Sequence, residues 1–427
     1  ISHSQLNSAA SNILNKDPRS FSIFMSNELG RSRTQLINQE IPSNLVELGI
    51  LITGEEDGVF DLEDKIIFYG RGPSGFNFSE NELEWHQNIY FNTNSCWVFI
   101  PEDENLRGKR VQQSPQPETG IIIDYGLSKI HLESDLINLE ASGTEWVSNS
   151  IISGNSQAIL LNLDSPKSGV SFNLKARIKG HSITETSSSY HSISLHYGSI
   201  NNDFIGSPLN WSGNSFRNLN LSSNSINLVN GLNFFYLKNS SSDNNSSPYI
   251  DYNQFEYGRE LNFSNEYDFI SPITGQNIRF LFSGQNNLNF YLWDISDPIN
   301  PKTLIIGDDN FCNVNVSSSQ VGHFIGFDIT TIDEISNLTL NNSQKNINLR
   351  NPELLYSYVI IGPENFRELT KPLLDLRSPA IYASLEDIYN EFSAGNKDPM
   401  AIRTFIQWTQ EKWLAPNPNC LLLLGDA

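Results

Sequence analysis

The chain has 427 residues, more than one compact core usually organises, so two or three domains are expected. Lys+Arg 27 against Asp+Glu 48 leaves a net charge of −21, which excludes the basic surface that duplex nucleic acid or an anionic membrane needs. Aromatic residues at 11% exclude a disordered chain, and no apolar run approaches the roughly 18 residues of a membrane-spanning helix.

In chain order, the first part reads as strands. Phe21–Met25, Leu48–Ile52, Lys65–Tyr69 and Cys96–Ile100 are short, apolar and rich in aromatic or β-branched residues. Ala158–Leu163, Ser192–Tyr197 and Ile278–Phe282 follow in the same style, separated by Asn/Ser clusters such as Asn239–Ser247. Short strands at this spacing predict β-sandwiches or barrels. Pro115 and Pro117 mark a boundary in composition, giving a β-rich domain over 1–115 and a second β-rich region over 120–345.

After Asn351-Pro352 the pattern changes. Tyr358–Gly362 is a continuous apolar run of buried-strand type. Phe366, Leu369, Leu373 and Leu376 fall at helical spacing, with Pro372 expected to kink or shorten that helix. Ser384 caps a second helix through Phe392, and Asp398-Pro399 opens a third, on which Ile402, Phe405, Ile406, Thr409 and Trp413 share a face. Leu421–Leu424 reads as a further buried strand. Strands alternating with helices predict the beginning of a parallel α/β domain over 352–427. Because Ile1 is not a start methionine and the chain stops just after this last strand, we read it as a fragment.

Three features invite a chemical reading. Set against a calcium-binding loop, Glu55, Asp57, Gly58, Asp61 and Asp64 fall at positions 3, 5, 6, 9 and 12. That makes Asp57, Asp61 and Asp64 candidate calcium ligands. Thr53 stands where the first Asp belongs, however, and Asp57-Gly58 is also a strong hairpin-turn signal, which we favour. Cys96, Cys312 and Cys420 fit no metal spacing and read as three buried thiols. None of the seven histidines pairs at a metal-binding helical spacing; His191 and His196 share a strand and could line one site, although a structural role is expected of both.

The C-terminal stretch carries a resemblance. Tyr356–Phe366, Glu386–Gly395, Asp398–Phe405 and the Leu-Leu-Leu-Leu-Gly-Asp run at 421–426 resemble, in order, the opening of the gingipain-type cysteine peptidase domain. Upstream, Asp57–Asp61, Ile67–Pro73, His86–Tyr90, Ser142–Trp146 and Trp293–Pro298 are similar to the type IX secretion sortase branch of that family. The resemblance implies a caspase-like domain and a cysteine endopeptidase or sortase, exported to the periplasm or outer surface. It would remove the C-terminal signal domain of secreted cargo. Its expected partners are secreted protein substrates and type IX secretion components, with outer-membrane association and no nucleic acid. No cofactor is required, calcium being the one candidate.

The resemblance also implies that the catalytic His and Cys lie beyond Ala427, so no catalytic residue is expected in this chain and the fragment is expected to be inactive. Cys420 opens its strand and sits at the wrong end to replace them, whereas Asp426 falls at the edge where chemistry is expected. A non-catalytic surface β-sandwich adhesin or assembly module is the alternative reading.

Overall fold

A computed structural model of the chain describes residues 1–10, 16–26, 45–77, 83–103, 105–139, 143, 145–184, 188–264, 266–335, 337–340 and 348–425. These form two compact units, one of Ile1–Gln113, Asp297–Lys302 and Asp333–Ala427, the other of Ser114–Ser296 and Thr303–Ile332. No helix among the described residues is long and apolar enough to cross a membrane.

In the second unit, strict alternation sets the architecture. Along Phe172–Lys179, Phe172, Leu174, Ala176 and Ile178 are buried while the polar residues between them are not, as a period of two requires of a half-covered strand. This strand pairs antiparallel with Tyr249–Glu260, which pairs on its other side with Tyr125–Glu133 in the register Tyr125 to Glu260. A four-stranded sheet, ordered Ser156–Leu163, Gly231–Asn239, Tyr190–Tyr197 and Phe204–Ser212, supplies the facing layer. Ile159, Leu161 and Leu163 from it meet Leu174, Ile178 and Phe255 from the first sheet in a common core. Phe172 stacks on Phe235 across the layers with ring centroids 4.9 Å apart. Each such aromatic contributes about 1.5–3 kcal/mol by burial. A second core in the same unit gathers Phe269, Phe280 and Phe324, whose rings lie 5.2–5.3 Å apart.

In the first unit, Ser22–Ser26 is the central strand of a three-stranded antiparallel sheet between Leu45–Leu48 and Cys96–Phe99. A hairpin of Ile50–Ile52 and Ile66–Phe68 and the short helix α1 (His3–Ala9) complete its core, in which Leu6, Phe21, Ile23, Ile50 and Phe60 are fully buried. Residues 297–302 return to this core: Gly49 N–H donates to the Ile299 carbonyl at 2.9 Å, and Ile299 packs against the cluster.

The remainder of the unit builds the parallel sheet. Tyr358–Gly362 is its central strand, flanked by Ala380–Ser384 and Cys420–Leu423, both parallel to it. Pro372 has the expected effect: two 3₁₀ turns, Glu364–Phe366 and Glu368–Thr370, precede the short helix α2 (Lys371–Leu376), with the proline at its second position. The helices α3 (Leu385–Phe392) and α4 (Met400–Lys412) bury Ile388 and Phe392, and Ala401, Phe405 and Thr409. Asp398 Oδ1 accepts the Met400 N–H at 2.9 Å, capping α4 as its spacing predicts.

Two expectations are corrected. Within residues 1–427, the expected buried strand is Cys420–Leu423, the outer strand of its sheet, with Leu421 46% and Leu423 61% exposed. The thiols also differ, since Cys312 is buried but Cys96 and Cys420 are exposed, each on an outer strand where only one neighbouring strand gives cover. Ala380–Ser384 is a strand that the sequence reading does not include.

Candidate active-site edge

In an open parallel sheet, ligands meet the loops and helix starts at the carboxyl ends of the strands. Here that edge is formed by Gly362, Ser384 and Leu424, whose N–H donates to the Ile361 carbonyl at 2.8 Å. Gly362 has no room for a side chain: a Cβ there would lie 2.7 Å from the Tyr382 hydroxyl and 3.1 Å from Leu424. Tyr382 in turn donates its hydroxyl hydrogen to the Pro363 carbonyl at 2.6 Å.

Arg367 ties the edge together. Its Nη1 donates to the Tyr382 carbonyl (3.0 Å), its Nε to Glu364 (2.7 Å), and its Nη2 to Glu364 (2.8 Å) and Asp387 (3.0 Å). Hydrogen bonding and charge from Arg367 hold the Glu364 carboxyl below its ordinary range, and the same pair raises the guanidinium. Ser384 ends its strand and caps α3 by accepting the Asp387 N–H at 3.1 Å. Glu386 accepts the Glu364 N–H at 3.3 Å. One guanidinium thus joins the turn after the central strand to the neighbouring strand and to the first turn of α3. Among the described residues the edge is a charge-paired platform rather than a nucleophile with its base. The i,i+3 spacing of Glu364 and Arg367 and the Ser384-x-x-Asp387 cap are the local signals that mark these residues.

The predicted candidates are dispersed. Cys420 pairs with Tyr358 at the amino end of the sheet, on the order of 13 Å from the carboxyl edge at about 3.3 Å per residue. Burial pushes the buried Cys312 thiol up to about 12, the reverse of an activated nucleophile. Asp426 lies outside the described residues.

Nor do the two strand histidines share a site. His191 is held between Ser246 Oγ (2.7 Å) and the Gly213 carbonyl (3.2 Å), and His196 between Ser194 Oγ (2.9 Å) and the Asn202 carbonyl (2.8 Å).

Asp57, Asp61 and Asp64 each serve the hairpin loop. Asp57 Oδ1 accepts the Val59 N–H (2.8 Å), Asp61 Oδ1 the Glu63 N–H (3.0 Å) and Asp64 Oδ2 the Asp61 N–H (2.9 Å). Gly54 and Gly58 take the left-handed conformation at φ +76° and +81°, and Thr53 Oγ1 accepts the Lys65 N–H at 2.8 Å. Among the described residues no three His, Cys, Asp or Glu side chains are grouped to hold a metal ion.

With this geometry in view, comparison with known proteins bears on the parallel sheet and its helices. Residues 351–427 match the family model of Peptidase family C25. That stretch, under a fifth of the chain, is what resembles the family. Over 99% of its length the chain superposes on dimeric latent PorU from Porphyromonas gingivalis, with a TM-score of 0.74 at 15% identity. The two therefore share a fold, a β-rich region running into the start of an α/β domain, and the chain spans 40% of that protein's length.

A carbohydrate-binding module of a xylanase from the Trinervitermes trinervoides hindgut metagenome aligns over 30% of this chain and 95% of its own at 12% identity and a TM-score of 0.20. A family 35 carbohydrate-binding module from Clostridium thermocellum aligns over 30% and 90% at 17% identity and 0.18. Overlaps this small carry no argument. No curated protein matches by sequence.

Proposed function

We propose that the chain is the β-rich region and opening α/β segment of a gingipain-type cysteine endopeptidase of the type IX sortase branch. It would be exported and would act in the periplasm or at the outer cell surface, removing the C-terminal signal domain of secreted cargo. The observation that carries this reading is the combination of a C25 match at residues 351–427 with a fold shared along the whole chain with latent PorU. The chemistry would be acyl transfer through a cysteine thiolate activated by a histidine, which needs no cofactor.

In this reading the segment supplies the platform. Tyr358–Gly362 and Ala380–Ser384 carry the carboxyl edge, and Arg367 fixes the loops that border it. The nucleophile and its base would come from chain beyond Ala427.

The test compares residues 1–427 with a longer product of the same gene that includes the downstream His and Cys. The substrate is a peptide spanning a cargo–signal-domain junction, with and without a thiol-alkylating reagent. Only the longer chain is expected to cleave, and alkylation is expected to stop it. Cleavage by residues 1–427, or none by either chain, would refute the proposal.

A further inference from the structure

Ser95, Cys96 and Trp97 open the outer strand Cys96–Phe99 of the N-terminal sheet, and two of their side chains engage a loop of the C25 segment roughly 300 residues away. The Trp97 indole N–H donates to the Ala394 carbonyl (2.9 Å), Ser95 Oγ–H to the Gly395 carbonyl (2.9 Å), and the Ser95 backbone N–H to Asn396 Oδ1 (2.7 Å). Three consecutive residues therefore each receive one hydrogen bond from a tripeptide.

The loop is shaped for this. Ala394 and Gly395 both lie in the left-handed region, at φ +56° and +86°, a conformation that alanine adopts only under constraint. A Cβ on Gly395 would come within 3.0 Å of the indole and 3.2 Å of Ser95 Cβ, so glycine is required by contact as well as by backbone. Ala394 and Asn396 are buried, and their polar groups would lose these partners if the tripeptide withdrew.

The loop's other bonds run into its own segment. Gly395 N–H donates to the Tyr389 carbonyl on α3 (2.8 Å), and Ser393 Oγ–H to the Asn396 carbonyl (2.5 Å), two residues before the cap of α4. A displacement of the loop therefore disturbs the end of one helix and the approach to the next. The contact lies at the end of α3 opposite Ser384, away from the carboxyl edge.

We infer that Ser95 and Trp97 form a docking clamp that makes the N-terminal sheet a folding scaffold of the C25 segment. The two open together rather than as separable modules.

Hydrogen exchange on the full chain tests this. In the parent chain, amides of Ile23–Met25 and of Val359–Ile361 are expected to exchange through a common opening, with equal protection. In the double variant Trp97→Phe, Ser95→Ala, exchange at Val359–Ile361 is expected to accelerate about tenfold or more, since each lost bond weakens closure severalfold. Should the double variant fail to fold, Ser95→Ala alone removes one bond and is expected to give about a fivefold change at the same amides. The inference is overturned if exchange in Tyr358–Gly362 stays at the parent rate in whichever variant folds, whether or not the Ser95 amide is released.

Discussion

Arg367 Nη2 meets Asp387 Oδ2 at 3.0 Å, joining the turn after the central strand to the first turn of α3 beside a strand end that Gly362 keeps free of side chain. Asp387 is 5% exposed, so removing the guanidinium would leave a buried carboxylate with a lost partner. Arg367→Ala is expected to destabilise the first unit by about 2–3 kcal/mol, read from the urea midpoint of a probe on that unit. Arg367→Lys is expected to recover less than half, because one ammonium cannot serve Glu364, Asp387 and the Tyr382 carbonyl in the same plane.

The loop around Asp57 is expected to behave as a turn. A Cβ at Gly54 would sit 1.9 Å from Asp64 Oδ1, and its φ of +76° disfavours any other residue, so Gly54→Ala is expected to cost about 2–3 kcal/mol. Asp57→Ala removes only one exposed turn bond and is expected to cost under about 1 kcal/mol. Chelator is expected to leave the melting temperature unchanged. A calcium-dependent rise abolished by Asp61→Ala would restore the metal-loop reading.

What the sequence makes legible follows the range of the interactions. Each predicted apolar run of the β-rich region overlaps an observed strand, because alternation and turn residues act within a few positions; Gly49 merely splits Leu48–Ile52 into two. The helix starts at Ser384 and Asp398 were legible for the same reason. Burial of Leu421–Leu424 was not, since an apolar run reports its own hydrophobicity and not the number of strands beside it. Ala380–Ser384 has no alternation to announce it, and only its pairing with Tyr358–Gly362 makes it a strand. The Arg367–Asp387 contact at the candidate edge spans 20 residues, and the Trp97–Ala394 contact away from it spans 297, both beyond any local pattern.

His191 is expected to make stability depend on pH. Burial lowers its pKa below 6.5, outweighing the Gly213 carbonyl and the Asp243 charge that favour protonation, while the His181 charge adds to the lowering. The neutral ring accepts from Ser246 Oγ and donates to Gly213, and it packs on Trp211 with centroids 4.6 Å apart. A depressed folded pKa means its stabilising contribution is full above 6.5 and is lost as pH falls from 6.5 through the folded value. His191→Gln is expected to be less stable than the parent at about pH 8 by roughly 1–2 kcal/mol, yet to lose less on moving to about pH 5.5. Parallel stability-against-pH curves for the two proteins would exclude His191 as the source.

Leucines of the outer strand and isoleucines of the central one are expected to respond oppositely to substitution. Leu421 and Leu423 are 46% and 61% exposed, so Leu421→Gln with Leu423→Gln removes little buried area and is expected to change stability by less than about 1 kcal/mol in total. Ile361, 1% exposed between the paired strands Ala380–Ser384 and Cys420–Leu423, sits where its neighbours cannot close around a void. Ile361→Ala is therefore expected to cost about 2–4 kcal/mol by urea unfolding. If the double glutamine variant proved as destabilised as Ile361→Ala, Leu421 and Leu423 would have to be covered in solution, and the exposed-edge description of this strand would fail.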